Sequence, residues 1–237
     1  MKTLIINASM KNDASHSYMV ARKFAEGMED AAACEIESIY LSRKEINHCR
    51  GCFGCWKVTP GKCVVHDDME KITEKILESD VIIFAFPLYF FGISSIAKTM
   101  LDRLLPLKMP YAGRLATEEN PIIMDFRYDF SNKKIVLVSS CAHASTDIVY
   151  ESVEKQFDMI CGKNNYIKVF TPQGEILMLE QMKPILNSYL NKVKEAGMEL
   201  AQTGTVSVET QKKVCAPLIP VRAVQKMMSG YWEDYPQ

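Results

Sequence analysis

Cys49, Cys52, Cys55 and Cys63 stand in the pattern C-x2-C-x2-C-x7-C. Gly51 and Gly54 lie between the first three and let the backbone curl, so the thiols can converge on one centre. With the fourth they could complete an iron–sulfur cluster, 4Fe–4S in type, or a tetrahedral zinc site. The pattern is not the ferredoxin run that closes with C-x3-C-P, and reduced, non-ligating thiols in a tight loop are the plain alternative.

A second group sits near the start. Thr3-Leu4-Ile5-Ile6-Asn7 reads as a strand, and a helix runs to about Glu29. Ser9, Lys11, Ser15, His16 and Ser17 fall between the strand and the helix body. A strand, a polar loop and a helix N-terminus hold phosphate, because free N–H groups, the helix dipole and hydroxyls point at one place. Lys11 can balance a phosphate dianion. No G-x-G-x-x-G or Walker A pattern is present, which disfavours dinucleotide or triphosphate sites of those types. A serine-capped helix after a solvated loop would read the same way.

The third group is Pro87, Leu88, Tyr89, Phe90, Phe91 and Gly92. It follows Asp80 to Phe86, an unbroken apolar run that marks a strand covered on both faces. Pro87 stops the ladder, and Ser94 and Ser95 can cap the helix behind, whose Ile96, Met100, Leu101 and Leu104 repeat at helical spacing. Aromatics at the carboxyl end of a parallel strand suit a planar ligand, although they could equally fill a core. The fourth group, Ser139, Ser140, Cys141 and Ala142, ends another buried strand, Ile135 to Val138. Its small residues let a ring system approach the backbone, and His143 beyond it is a candidate acid, base or hydrogen bonder.

The elements that must position these groups are five strands alternating with helices. Cys34 to Leu41 alternates like an edge strand, and Tyr166 to Phe170 reads as the fifth. A helix from Asp67 is expected, with Asp67 as N-cap and Glu70 as capping-box partner. Others are expected over Thr146 to about Ile160 and over the stretch ending near Thr203-Gly204. Leu105 to Lys133 is long enough for a lid or binding loop. Such an order gives an α/β doubly wound parallel sheet with helices on both faces. Residues 1–204 are read as a phosphate- and ring-binding domain, and 205–237 as an extension packing on it or on a partner subunit.

The formal charge of −1 and 24% charged residues leave no basic surplus for nucleic acid or an anionic membrane. No apolar run is long enough to span a bilayer or to serve as a signal peptide, so a cytoplasmic chain with reduced cysteines is expected. Polar loops after the first and fourth strands and an aromatic loop after the third favour FMN over a simple mononucleotide.

On these residues the chain resembles the flavodoxin-like NAD(P)H-dependent FMN reductases, including their iron–sulfur flavoprotein branch, over about Met1 to Thr203. Where Gly-Ser-x-Arg and Ser-Asn-Thr are usual, this chain has Ala8-Ser9-Met10-Lys11 and Ser15-His16-Ser17. Pro87-Leu88-Tyr89 with Lys98-x-x-x-Asp102-Arg103 matches well, and the cysteine loop followed by Asp67-Asp68-Met69 is similar to the iron–sulfur branch. The resemblance implies strand order 2-1-3-4-5, a homodimer or higher oligomer with the flavin near the subunit interface, and Pro87 to Gly92 lining the isoalloxazine. It also implies Lys98, Asp102 and Arg103 bracing their helix by i,i+4 pairing. The expected activity is transfer of electrons from NAD(P)H through FMN to a small acceptor such as a quinone or flavin. Amides near Leu88 to Phe90 and Ser140 to Ala142 would steady the ring, and Tyr89, Phe90 and Trp232 would shape the cavity. Two rivals remain: a carrier with a 4Fe–4S cluster served by a partner such as ferredoxin, and a flavin-binding redox sensor.

Overall fold

The computed structural model describes residues 1–111 and 113–233; the side chains of Met178 and of 228–233 lie outside the description. Trp232, expected to shape the cavity, is among the latter. Strands β1 (Lys2–Asn7), β2 (Glu35–Tyr40), β3 (Val81–Pro87), β4 (Lys134–Ser140) and β5 (Ile167–Thr171) form one sheet in the order β2-β1-β3-β4-β5. Every neighbouring pair is parallel. The unbroken apolar runs become the central strands: from Val81 to Phe86 every residue of β3 is buried, whereas β2 at the edge alternates.

One face of the sheet carries α1 (His16–Ala31), α6 (Lys183–Thr203) and α7 (Val208–Cys215). The other carries α3 (Met69–Glu78), α4 (Ser95–Asp102) and α5 (Glu151–Cys161). A one-turn helix, α2 (Gly54–Lys57), lies in the cysteine loop, and α8 (Val221–Glu233) ends the description. Helix α5 starts at Glu151 rather than near Thr146, because Ser145 and Asp147 hydrogen-bond each other in a local turn. Helix α6 stops at Gly204, whose φ of 76° takes its N–H back to the Leu200 carbonyl.

The free edge of β5 is closed by the chain beyond Gly204. The Lys168 N–H donates to Gln211 Oε1 at 2.9 Å, and the Phe170 N–H to Cys215 Sγ at 3.3 Å. Side chains of α7 thus take ladder positions that another strand would otherwise seek. Val206, Val214 and Val224 are buried, so this stretch packs onto the domain. Helices α1 and α6 cross closely at facing glycines. A Cβ at Gly27 would stand 1.9 Å from the Lys194 carbonyl oxygen, and one at Gly197 1.9 Å from that of Phe24.

Candidate cofactor site and cysteine loop

Because all the strands run one way, the loops after β1, β3, β4 and β5 share one edge of the sheet. Asn7, fully buried at the end of β1, organises the first of them. Its Oδ1 accepts the Ser9 N–H at 3.0 Å, and its Nδ2 donates to the Asn12 carbonyl at 3.1 Å. The Lys11 N–H donates to Ser9 Oγ at 3.2 Å, and Ser15 caps α1 by accepting the Tyr18 N–H at 3.3 Å. First-turn amides of a helix have no intrahelical acceptor, so α1 presents donors and its positive dipole end beside Lys11. Burial and the neighbouring Lys11 push the His16 pKa down, with Glu175 opposing, so the imidazole is neutral at pH 7. His16 stands where the family pattern has asparagine.

The loop after β3 is a two-residue turn. The Tyr89 and Gly92 backbones exchange hydrogen bonds at 3.0 Å in each direction, with Phe90 at φ 48° and Phe91 at φ 61° between them. Both central residues lie in the left-handed region, which glycine or asparagine normally fills. For a bulky side chain each such residue costs about 1–3 kcal/mol. Phe90 is 100% exposed and Tyr89 and Phe91 are each 52% exposed. Phe91 is held from behind: Ser152 Oγ donates to its carbonyl, and the His143 ring lies 5.5 Å from its own. A strained turn that lifts three aromatics into solvent does not serve the core, which answers whether these residues simply fill it.

The third loop is tied to both others. Ser17 Oγ donates to the Phe86 carbonyl and lies 3.0 Å from Ser140 Oγ. The Leu88 N–H donates to the Ser140 carbonyl at 3.1 Å, and Ser94 Oγ donates to the Ala8 carbonyl at 2.7 Å instead of capping α4. These ties divide the expected ligand set. Ser9, Lys11, Ser15 and His16 gather at the start of α1, while Pro87, Leu88, Tyr89, Phe90, Gly92, Ser140 and Ala142 lie at or just beyond the carboxyl ends of β3 and β4. Ser17 is 1% exposed and its hydroxyl is spent on strand ends. Ser139 is 0% exposed and accepts from the Tyr150 hydroxyl, so its side chain is structural. Cys141 is buried as well, and burial raises its thiol pKa. The Leu88, Tyr89 and Cys141 amides are taken up inside the fold, so they do not reach a ring; among the described residues Phe90 and Ala142 keep theirs. Asn7, Ser94 and Tyr150 do the positioning; Ser94 and Tyr150 act through partners 86 and 11 positions away, and Asn7 through the local turn it organises, and sequence reasoning assigned none of these roles.

The cysteine loop lies beyond α4. Cys49, Cys52, Cys55 and Cys63 line one cavity of about 20 Å³, together with Arg103. Burial raises the Cys55 thiol pKa, and the nearby Cys63, Cys52 and Cys49 add to it. Among the described residues no three potential ligands come close enough to hold a metal ion. The donor set suits iron–sulfur or zinc chemistry; the closed cavity has room for little more than a water molecule.

Arg103 builds this loop and does not merely brace α4. Its Nη1 donates to Asp67 Oδ2 at 2.6 Å and to the Asn47 carbonyl at 2.7 Å; its Nη2 donates to Asp67 Oδ1 at 3.0 Å and to the Val65 carbonyl at 3.1 Å. The cation thus staples both flanks of the cysteine segment. Both side chains are 1% exposed, and Arg103 Nε is buried without a hydrogen-bond partner among the described residues. Asp68 immediately precedes α3 and no capping box with Glu70 forms, but the Asp67 carboxylate does accept the N–H of Met69, the first residue of the helix, at 3.0 Å, while also binding Arg103 and Asn47. Burial alone would raise the Asp67 pKa, but these donors outweigh it and hold the carboxyl well below the usual range. The Lys98–Asp102 pair does form at i,i+4, at 2.5 Å.

A doubly wound parallel sheet with an anion-suited helix start and an aromatic turn at its carboxyl edge is the architecture of flavodoxin-like flavoproteins. The family model for NADPH-dependent FMN reductase matches residues 1–159. The chain belongs to that family. An iron–sulfur flavoprotein of Archaeoglobus fulgidus is 38% identical over 87 residues, covering 34% of this chain and 39% of that protein. One from Methanocaldococcus jannaschii is 34% identical over 114 residues, covering 48% and 57%. The matches thus span only about half of those relatives' lengths or less. An FMN-dependent NADH-azoreductase from Bacillus anthracis, solved with FMN, superposes with TM-score 0.60 at 19% identity over 84% of this chain and 99% of its own. An NAD(P)H:quinone oxidoreductase from Methanothermobacter marburgensis gives 0.59 at 18% identity, over 84% and 98%. At these identities the likeness is one of fold. Among the described residues no helix is long and apolar enough to cross a membrane.

Proposed function

We propose that the chain is an NAD(P)H-dependent FMN oxidoreductase that delivers electrons to a small acceptor such as a quinone or a flavin. The observation that carries this reading is the Tyr89–Gly92 turn, whose two left-handed phenylalanines face solvent beside the start of α1. Bound there, FMN would supply hydride acceptance from the nicotinamide and electron delivery to the acceptor. Lys11, Ser9, Ser15, His16 and the first amides of α1 hold the phosphate. Pro87 to Gly92 wall the ring, and the Phe90 and Ala142 amides point donors at developing negative charge. Tyr89, Phe90 and Phe91 shield the reacting edge from water. No side-chain nucleophile or general base is assigned, since the cofactor carries the chemistry. The exposure of Phe90 fits a homodimer whose second subunit completes the pocket, and a cytoplasmic setting fits eight unpaired cysteines.

The reading is tested by titrating FMN and then following NAD(P)H oxidation with a quinone or flavin acceptor; absence of both binding and oxidation overturns it. Phe90→Gly should relieve strain and raise stability by about 1 kcal/mol, yet weaken FMN binding several-fold. Urea unfolding of the apoprotein and flavin-fluorescence titration check the two arms. Unchanged FMN affinity would remove Phe90 from the site.

A second reading is supported by the four cysteines that line one cavity. Opening of the exposed Cys49 and Cys52 would admit a 4Fe–4S cluster, and the protein would then carry electrons from a partner such as ferredoxin. In anaerobically purified protein, Cys52→Ser should then abolish iron and acid-labile sulfide while leaving FMN bound. Flavin with no iron in the parent protein would leave the thiols structural or redox-sensing.

A further inference from the structure

The sheet face that carries α3, α4 and α5 is not closed. Helix α4 has 8 residues, about 12 Å of cover, while β3 and β4 beneath it have 7 residues each, about 23 Å. Beyond the end of α4 the roof is built by residues 105–111 and 113–133. It folds back through a bridge between Lys108 and Phe126, with the Met109 N–H donating to Asp125 at 2.7 Å and the Arg127 N–H to Leu107 at 2.7 Å. Under it lies a cavity of about 650 Å³. Small-molecule pockets run about 300–1,000 Å³. Ile82 and Ile135 form the floor, Leu104 and Ile160 the walls, and Met124 and Phe126 the roof. Ile135 is only half-buried, although Val136, Leu137 and Val138 beside it on the same central strand are 0% exposed. A central parallel strand is normally covered on both faces. None of the residues assigned above to FMN lines this cavity.

Lys108 gives the cavity a charge. Its Nζ sits 3.3 Å from the centre of the Phe126 ring and donates to the Ile160 carbonyl at 2.9 Å, so the ammonium is at the wall. Among the described residues no carboxylate pairs with it, and Asp125, its acidic neighbour, is drawn to Arg114 at 2.7 Å. Burial lowers the Lys108 pKa to about 8, with Cys161 and Asp125 opposing, which leaves the amine mostly charged at pH 7. The ring face and one carbonyl compensate this half-buried cation in part, and an anion would complete the compensation.

We propose that this cavity binds an amphipathic monocarboxylate of the fatty-acid type, its carboxylate paired with Lys108 Nζ and its chain lying on Ile82 and Ile135. The charge selects the acid over a neutral lipid, and the mostly apolar lining, whose one carboxylate, Asp102, is paired with Lys98, selects a chain over a polar metabolite. The site is separate from the one assigned to FMN, and the inference does not depend on that assignment.

Isothermal titration of dodecanoate and dodecanol into the protein, with and without added FMN and below their aggregation concentrations, tests it. Dodecanoate should bind saturably, one per chain, and FMN should not displace it. Lys108→Met should weaken dodecanoate at least tenfold while leaving dodecanol unchanged, Lys108→Arg should retain most of the affinity, and Ile135→Phe should weaken both ligands by narrowing the floor. Absence of saturable binding, equal binding to parent and Lys108→Met, or displacement by FMN would each overturn the proposal. So would dodecanoate binding that appears only on dilution of an oligomer to the monomer, since a second copy of the chain would then be the occupant.

Discussion

Arg103→Met should destabilise the protein by about 3–5 kcal/mol, the usual cost of leaving one partner of a buried ion pair uncompensated. Asp67 would keep its carboxylate in a site where it is 1% exposed, with the guanidinium's two parallel bonds gone. The Asn47 and Val65 carbonyls would lose their donors, so both flanks of the cysteine segment would come loose together. Lysine should rescue little, because it cannot make two parallel bonds to a carboxylate and two more to separate carbonyls. Urea unfolding measures the loss, and a variant within about 1 kcal/mol of the parent would mean that the pair is no more than a surface bridge.

The pair also gives the acid dependence a sign. The Asp67 pKa is lowered in the folded chain, against about 3.9 when unfolded. Its contribution is therefore fully present above the unfolded pKa and is lost as pH falls below about 4, where the unfolded chain binds the extra proton. Arg103→Met should flatten that part of the acid limb. An equally steep limb in parent and variant would assign the acid sensitivity to other carboxylates.

Gly197→Ala should cost roughly 2 kcal/mol or more, although alanine improves intrinsic helix propensity by about 1 kcal/mol. The added methyl would meet the Phe24 carbonyl oxygen at 1.9 Å, which is backbone and cannot swing aside. Helices α1 and α6 must then separate along their whole contact, drawing Phe24 and Met28 away from Val193 and Ala196. Gly27→Ala meets the Lys194 carbonyl in the same crossing and should have a similar effect. The double variant should lose less than the sum, since one separation accommodates both methyls. Thermal unfolding should show a drop of several degrees for each single change; strict additivity would mean two independent local adjustments. Because α1 also begins at the phosphate loop, weaker FMN binding should accompany the loss.

The sheet was legible in the chain because its evidence is local. Unbroken apolar runs at Val81 to Phe86 and Ile135 to Val138 name buried strands wherever they occur, and helices between them force parallel crossovers. The chemistry-bearing groups were legible too, as residue types at spacings: the cysteines, the serine and lysine loop, the aromatics before Gly92. Their sorting was not. Ser139 and Ser17 look available on paper; that one is consumed by Tyr150 and the other by Phe86 depends on residues 11 and 69 positions away. Asp67 reads as a helix cap because capping is a local rule, and it does accept the Met69 N–H; its second role, partner of a buried arginine, appears only when α4 folds over the cysteine loop.

The sequence by itself therefore determined the strand order's raw material, the polar start of α1 and the convergence-prone cysteines, since short-range sterics and hydrophobic periodicity act within a few residues. Tertiary structure alone decided the Arg103–Asp67 staple, the contact of Gly27 and Gly197 with facing backbone, the left-handed Phe90–Phe91 turn, and the cavity beneath residues 105–111 and 113–133. Each of these depends on long-range packing, where burial removes water's compensation and makes an unpaired charge, a methyl group or an uncovered strand costly.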